Sequence, residues 1–153
     1  MITSEPNRPI PTTVLNLAAL LGAVLLLAGC GGGAGGTSNE GFLAGLESHG
    51  ITVTAPQPEP PGILEVSSTV YQVPGGILHV FTFADGQAAK IAAARVEPDG
   101  YTVRSTMGIN QAVDWSAPPH WYRSGRGVAV YLGSSSNVSD ALTEIAGPQF
   151  AGT

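Results

Sequence analysis

The sequence predicts an α+β fold, a single domain with a mainly antiparallel β-sheet and about three helices packed on one face. Two observations lead there. Runs with β-type composition and alternation outnumber the helix-period stretches. Most successive runs are also separated only by short turn signals, such as Pro74-Gly75-Gly76 and Glu97-Pro98-Asp99-Gly100.

The elements follow in order. Phe42, Leu43 and Leu46 stand at helical spacing; Ser38 or Asn39 can cap that helix, and Gly50 sits where a left-handed C-terminal cap belongs. Ile51 to Thr54 is β-branched and reads as a short strand. The prolines of Ala55 to Gly62 exclude both a helix and a central strand, so an extended surface loop is expected, with a polyproline-like recognition segment as the alternative. Ile63 to Val73 and Gly76 to Phe83 are two β-rich runs around the Pro-Gly-Gly turn. Asp85 can cap a helix from Gly86 to Val96 whose inward face is Ala88, Ile91, Ala92 and either the stem of Arg95 or Val96. Tyr101 to Ser105 is another short strand. Val128, Val130 and Leu132 alternate with Ala129 and Tyr131 as in a half-buried strand. The last helix has Ser136 or Asn137 as cap, Val138, Ala141, Leu142 and Ile145 as its apolar stripe, and Gly147-Pro148 as its stop.

Ahead of this domain, Leu17 to Ala28 is an apolar run, shorter than the roughly 20 residues that span a bilayer. It ends in Leu27-Ala28-Gly29-Cys30, which resembles the lipobox of bacterial lipoproteins. The resemblance implies a signal peptide over 1–29, cleavage before Cys30, and a thioether-linked diacylglycerol on Cys30. Two acyl chains hold a protein stably on a membrane where one does not. Residues 30–39 then form the lipidated cysteine and a glycine-rich tether, and 40–153 the globular domain on the extracytoplasmic side. Gly31 is not the acidic residue that marks inner-membrane retention in some diderm bacteria, and the choice between inner and outer membrane stays open. Gly31, Gly33 and Gly36 fit a dinucleotide-binding glycine pattern, but no strand precedes them, so that reading fails its structural test.

Composition narrows the function classes. Cys30 is the only cysteine, which excludes a disulfide framework, a cysteine zinc site and a redox pair. The net charge is −5, before and after removal of Glu5 and Arg8, so there is no broad electrostatic reason to bind nucleic acid or anionic lipid. No cofactor is expected beyond the covalent lipid.

The residues that could carry chemistry are few. No nucleophile elbow, zinc-protease helix, P-loop or calcium loop is present. His49, His79 and His120 are far apart in sequence, so no metal site is expected. His49 falls in the last turn of the first helix, where a cation suits the helix dipole. His79 lies in an apolar strand, where a hydrogen-bonded side chain is commoner than a ligand. Asp114, His120 and Ser124 are the local candidates for a Ser-His-Asp arrangement, although alternation along a strand does not obviously bring them together.

The stretch Trp115 to Arg126 holds both tryptophans and two of the six basic residues. A turn at Ser124-Gly125 would set Arg123 opposite Arg126, a like-charge pair costing some tenths of a kcal/mol. Such local conflicts tend to mark functional places. His120, Trp121, Tyr122, Arg123 and Arg126 are therefore the candidate binding surface, for an envelope protein or for an anionic envelope ligand between the arginines. The competing reading places Trp115, Trp121 and Tyr122 in the core or at an edge, with the arginines paired to Asp114 or other acids.

The globular part resembles a group of small uncharacterised bacterial lipoproteins. The shared features are the Phe-Leu helix ending at Gly50, the run from His79 to Ala89, the segment from Pro118 to Arg126, and the ending from Gly147 to Gly152. The resemblance implies membership and supplies no activity. The expected function is a membrane-anchored extracytoplasmic binding or accessory domain. The alternatives are a small hydrolase-like envelope enzyme using His120 with Asp114, and a structural lipoprotein that associates with itself through an exposed strand edge.

Overall fold

The computed structural model of the chain describes residues 39–153; the leader, Cys30 and the glycine-rich stretch after it lie outside the described residues. The elements are α1 (Asn39–Ser48), β1 (Thr54–Glu59), β2 (Ser68–Val73), β3 (Gly76–Thr82), α2 (Gly86–Ala93), β4 (Thr102–Arg104), β5 (Asn110–Ala112), β6 (Pro119–Ser124), β7 (Gly127–Gly133), α3 (Ser136–Ala146) and β8 (Ala151–Gly152). Six strands form one sheet in the order β1-β2-β3-β7-β6-β8, with every neighbour antiparallel, and β4 and β5 form a separate antiparallel pair. The α+β class with three helices and an antiparallel sheet is thus what the chain adopts.

The helices divide between the two faces of the sheet. On one face, Phe42 and Leu46 of α1 and Val138 and Leu142 of α3 pack on Leu78, Val80, Tyr122 and Tyr131. On the other, Ala89, Ala92 and Ala93 of α2, with Val103 of β4, pack on Phe81, Trp121, Val128 and Val130. The shared face expected for all three therefore holds for α1 and α3, and α2 takes the opposite one. The reason lies in β7, where Val128, Val130 and Leu132 point one way and Ala129 and Tyr131 the other. A strand apolar at both parities needs a cover on both sides. Every residue of β7 is buried, where the sequence suggested half.

Local chemistry accounts for most element ends. Asp85 caps α2 by accepting the Ala88 amide at 2.8 Å. The buried stripe of α2 is Ala89, Ala92 and Ala93, and Ile91, expected inside, is 57 % exposed. A small-residue stripe lets the helix axis approach the sheet closely, and that orientation turns Ile91 to solvent. The helix cap residue of α3 is Ser135, one place before the expected Ser136, and its side chain makes no cap hydrogen bond. Its amide instead donates to the Tyr131 hydroxyl at 3.0 Å. Gly147, at φ 83°, ends α3 as expected, returning its amide to Thr143 O. α1 and α3 touch closely enough that a Cβ on Gly45 would lie 2.7 Å from Ile145 Cγ1.

Three strand expectations change. Ile51 to Val53 is not a strand; β1 starts at Thr54 and runs through Pro56 and Pro58 as the outer strand of the sheet. Prolines are tolerated there because an edge strand has one side that donates to no neighbour. β2 begins at Ser68 rather than Ile63, because Glu65 takes a left-handed conformation at φ 62° that breaks the extended run. The turn between β6 and β7 is Gly125-Arg126, since Ser124 pairs with Gly127 and Arg123 with Val128. Glycine at the first central position, here at φ 53°, suits a two-residue hairpin. The one-residue shift removes the expected Arg123–Arg126 opposition.

The strands define two ends of the sheet. The starts of α1 and α2 and the β6–β7 turn share one end: Asn39 accepts from the Thr82 hydroxyl at 3.1 Å, Phe83 N donates to Arg126 O at 2.9 Å, and a Cβ on Gly86 would meet Gly125 O at 3.3 Å. The β2–β3 turn, the end of α1 and the start of α3 occupy the other end.

Candidate functional site

The predicted binding surface does not form one surface. Trp121 and Tyr122 are neighbours in β6, so their side chains enter opposite faces of the sheet. Both are core residues, 0 % and 1 % exposed. Trp121 lies near-parallel to Phe81 with centroids 6.2 Å apart and meets Trp115 edge-on at 5.9 Å. Both indole N–H groups, of Trp115 and Trp121, donate to Gly100 O at 3.0 Å. One carbonyl with two lone pairs thereby satisfies both tryptophans. The Tyr122 hydroxyl donates to Ser139 O at 3.4 Å, and burial pushes its pKa upward. Arg123 is half-buried and Arg126 exposed at the tip of the hairpin, and neither makes an ion pair among the described residues.

His120 sits toward the opposite end of β6, where its ring stacks on Tyr131 at 5.8 Å. Nδ1 lies 2.9 Å from the Gln149 side-chain amide and Nε2 lies 3.1 Å from Gly133 O. Both partners are placed as carbonyl oxygens, so a neutral ring satisfies both only with the Gln149 amide turned to donate its N–H to Nδ1 while Nε2–H donates to Gly133 O. Both ring nitrogens are engaged by the fold. Asp114 is exposed and is not among the hydrogen-bond partners of His120. His120 points to the face covered by α1 and α3, where it stacks on Tyr131, which leaves the hydrolase reading without a base–orienter pair. His120 does line a cleft of about 400 Å³ with Ser134, Ser136 and Ser139 beside the start of α3. A second cleft, about 300 Å³, lies on the other side of the same helix start, lined by His49, Pro74, Asn137, Asp140 and Glu144. There His49 Nε2 faces Glu144 Oε2 at 3.6 Å, across the two helices rather than toward the carbonyls of its own helix. Among the described residues no group of three His, Cys, Asp or Glu side chains is arranged to hold a metal ion.

Two further polar clusters explain side chains that the sequence left unassigned. His79 Nδ1 faces Glu59 Oε2 of the edge strand at 3.4 Å, and its ring meets Trp115 edge-on at 5.9 Å. Burial pushes its pKa down, against the pull of Glu59. Glu65 ties its loop to the segments after β4 and α2: Oε1 accepts the Thr106 amide at 3.1 Å and hydroxyl at 3.2 Å, and Oε2 faces Arg95 Nη1 at 3.3 Å. These contacts, the Thr106 amide first, lower the Glu65 pKa. They also hold Glu65 in its left-handed conformation. Arg95 donates from Nε to Arg104 O at 2.6 Å, and its Nη2 is buried without a hydrogen bond. Arg104 in turn pairs with Glu97. The partners of both clusters are far away in sequence, so no local pattern announces them.

A pH dependence follows from these two groups. The folded protein holds the His79 proton less readily than the unfolded chain, so unfolding takes up a proton as the pH drops below 6.5, the ordinary histidine value. Stability is full above that pH and falls as the pH passes through the lowered folded value. Glu65 acts in the same direction further down, holding full stability above 4.5 and losing it as its carboxylate is protonated. Urea midpoints measured from pH 8 to pH 3 should therefore fall in two steps. His79→Gln should flatten the upper step and Glu65→Gln the lower; an unchanged profile in both variants would refute the assignment.

The self-association reading meets an obstacle at the sheet edge. The accessible outer strand is β1, exposed along its length, and Pro56 and Pro58 remove two of its amide donors. Such an edge is a poor template for another strand.

No known protein family matches the chain, and neither a curated protein nor a solved structure matches it.

Proposed function

We propose that the chain is a lipid-anchored, extracytoplasmic binding or accessory protein, carrying a diacylglycerol on Cys30 and presenting the α+β domain close to a membrane. The observation that carries the reading is Leu27-Ala28-Gly29-Cys30 at the end of an apolar run in a protein with no other cysteine. Among the described residues, no helix is long and apolar enough to cross a membrane. A binding role is favoured over catalysis because His120, the side chain best suited to general base work, has both nitrogens engaged by Gln149 and Gly133. The two clefts beside the start of α3 are the concave places where a small ligand or a partner's side chain would be received.

The test is direct. In the native host, the wild-type chain is expected to partition with membranes and to yield an N-terminal peptide whose mass carries diacylglycerol on Cys30. Cys30→Ala is expected to release essentially all of the protein from membranes or leave it unprocessed with its leader. A wild-type protein recovered in the aqueous fraction with an unmodified Cys30 would end the reading.

A further inference from the structure

We propose that the domain stands on its membrane in one orientation, with the β6–β7 hairpin against anionic phospholipid headgroups and the clefts beside α3 turned away. The inference rests on the lipid-anchored reading and adds to it a contact surface and a partner, the headgroup layer itself.

Connectivity is the first support. Asn39 and Glu40, the first described residues, share a cleft of about 310 Å³ with Thr82 and Arg126. The chain therefore enters the domain beside the hairpin tip. From Cys30 to Asn39 the backbone can reach at most about 30 Å. The seven residues of β3, from Gly76 to Thr82, separate the two ends of the sheet by roughly 20 Å. The hairpin end thus lies where the chain arrives from its anchor, and bringing the α3 end to the headgroups uses about two-thirds of the reach of the connecting chain.

The placement of charge is the second. Of the five basic residues among the described ones, Arg95 is paired with Glu65 and Arg104 with Glu97. Lys90, Arg123 and Arg126 have no ion pair among the described residues, and they fall toward the hairpin end: Arg123 and Arg126 at the tip, Lys90 four residues into the helix that starts beside Gly125. Three acids share that end. They are Asp85, capping α2, Glu59, bonded by the Ser68 hydroxyl and facing His79, and Glu40 beside Arg126, and they balance the three cations in number. At the other end lie Glu47, Asp140 and Glu144, with His49 as the basic side chain there. A net charge of −5 hides this separation. The first end is thus near neutral with its cations at the tip, and the second is acidic, so an anionic surface repels the second end far more than the first, within a Debye length of about 8 Å.

The experiment uses the full lipidated chain reconstituted in vesicles of phosphatidylglycerol and phosphatidylcholine. Lipidated Cys30 is blocked, so a cysteine placed at Ala84, exposed near the hairpin, or at Asn137, exposed at the start of α3, takes a fluorophore alone. With a nitroxide on the lipid headgroup, strong quenching is expected at 84 and little at 137. Arg123→Glu with Arg126→Glu is expected to reduce the ratio of the two by on the order of tenfold, and vesicles of phosphatidylcholine alone to reduce it likewise. Equal quenching at both sites, in protein whose Cys30 diacylglycerol is confirmed by mass, would overturn the orientation. A ratio that neither the double substitution nor the lipid composition alters would overturn its electrostatic basis. An unmodified Cys30 and no association with vesicles would overturn the anchoring reading and this inference together.

Discussion

Trp121→Ala is expected to unfold the domain rather than to weaken a surface contact. The side chain is fully buried, packs against Phe81 and Trp115, and gives its N–H to Gly100 O. Removing so large a buried aromatic costs about 3–5 kcal/mol. A domain of this size holds about 5–15 kcal/mol in total, so the variant should lie near or past the edge of folding. Trp121→Phe keeps most of the apolar area and leaves Trp115 as a donor to Gly100 O, for a loss nearer 1 kcal/mol. Arg123→Ala and Arg126→Ala, at the hairpin tip, should change stability by no more than about 0.5 kcal/mol. Urea unfolding followed by circular dichroism checks the series. A Trp121→Ala protein with a wild-type midpoint would mean that the residue is not the core of that face.

Gly100→Ala is expected to be a strongly damaging conservative change. Gly100 lies at φ 73°, and a Cβ there would come 2.7 Å from Gly152 Cα and 2.9 Å from Gly152 N. The left-handed conformation costs an alanine about 1–2 kcal/mol, and forcing the Cβ against backbone adds about 1–3 kcal/mol. The neighbour has little room to yield, because Gly152 itself lies against Pro119 O and bonds from its amide to Pro98 O. Any shift of Gly100 also moves the carbonyl shared by both tryptophans. Gly50→Ala is the control. Gly50 has almost the same φ, 72°, with nothing within 4 Å of its would-be Cβ, so it should lose only the conformational part. Equal losses in the two variants would show that the contact with Gly152 does not matter.

The helices were legible in the sequence because their signals are local. Asp85 three residues before Ala88, the alanine-rich run after it, and Gly147 after the last apolar residue of α3 act within one or two turns. The hairpins were legible for the same reason, with their registers less so. Moving the β6–β7 turn by one residue exchanged a functional anomaly, two opposed arginines, for an ordinary Arg123–Val128 pair. Strand register depends on which face finds a partner, and that partner is elsewhere in the chain. β1 was hidden because proline argues against strands in general, and only the topology makes this strand an edge.

The candidate site shows the same division. By composition, Trp121 and Tyr122 are equally suited to a binding patch and to a core, since large amphipathic rings serve in both. The packing decided for the core, because β6 lies inside the sheet between β7 and β8 with helices over both faces. Sequence alone determined the α+β class, the Asp85 cap of α2, the Gly147 stop of α3 and the expectation of a lipid on Cys30, which depend on residues adjacent in the chain. Only tertiary structure decided which faces are covered, where His79, Glu65 and His120 find their partners, and that the unpaired cations gather where the chain enters the domain. Those outcomes depend on contacts across tens of residues, and a contact of that kind leaves no periodicity in the residues that make it.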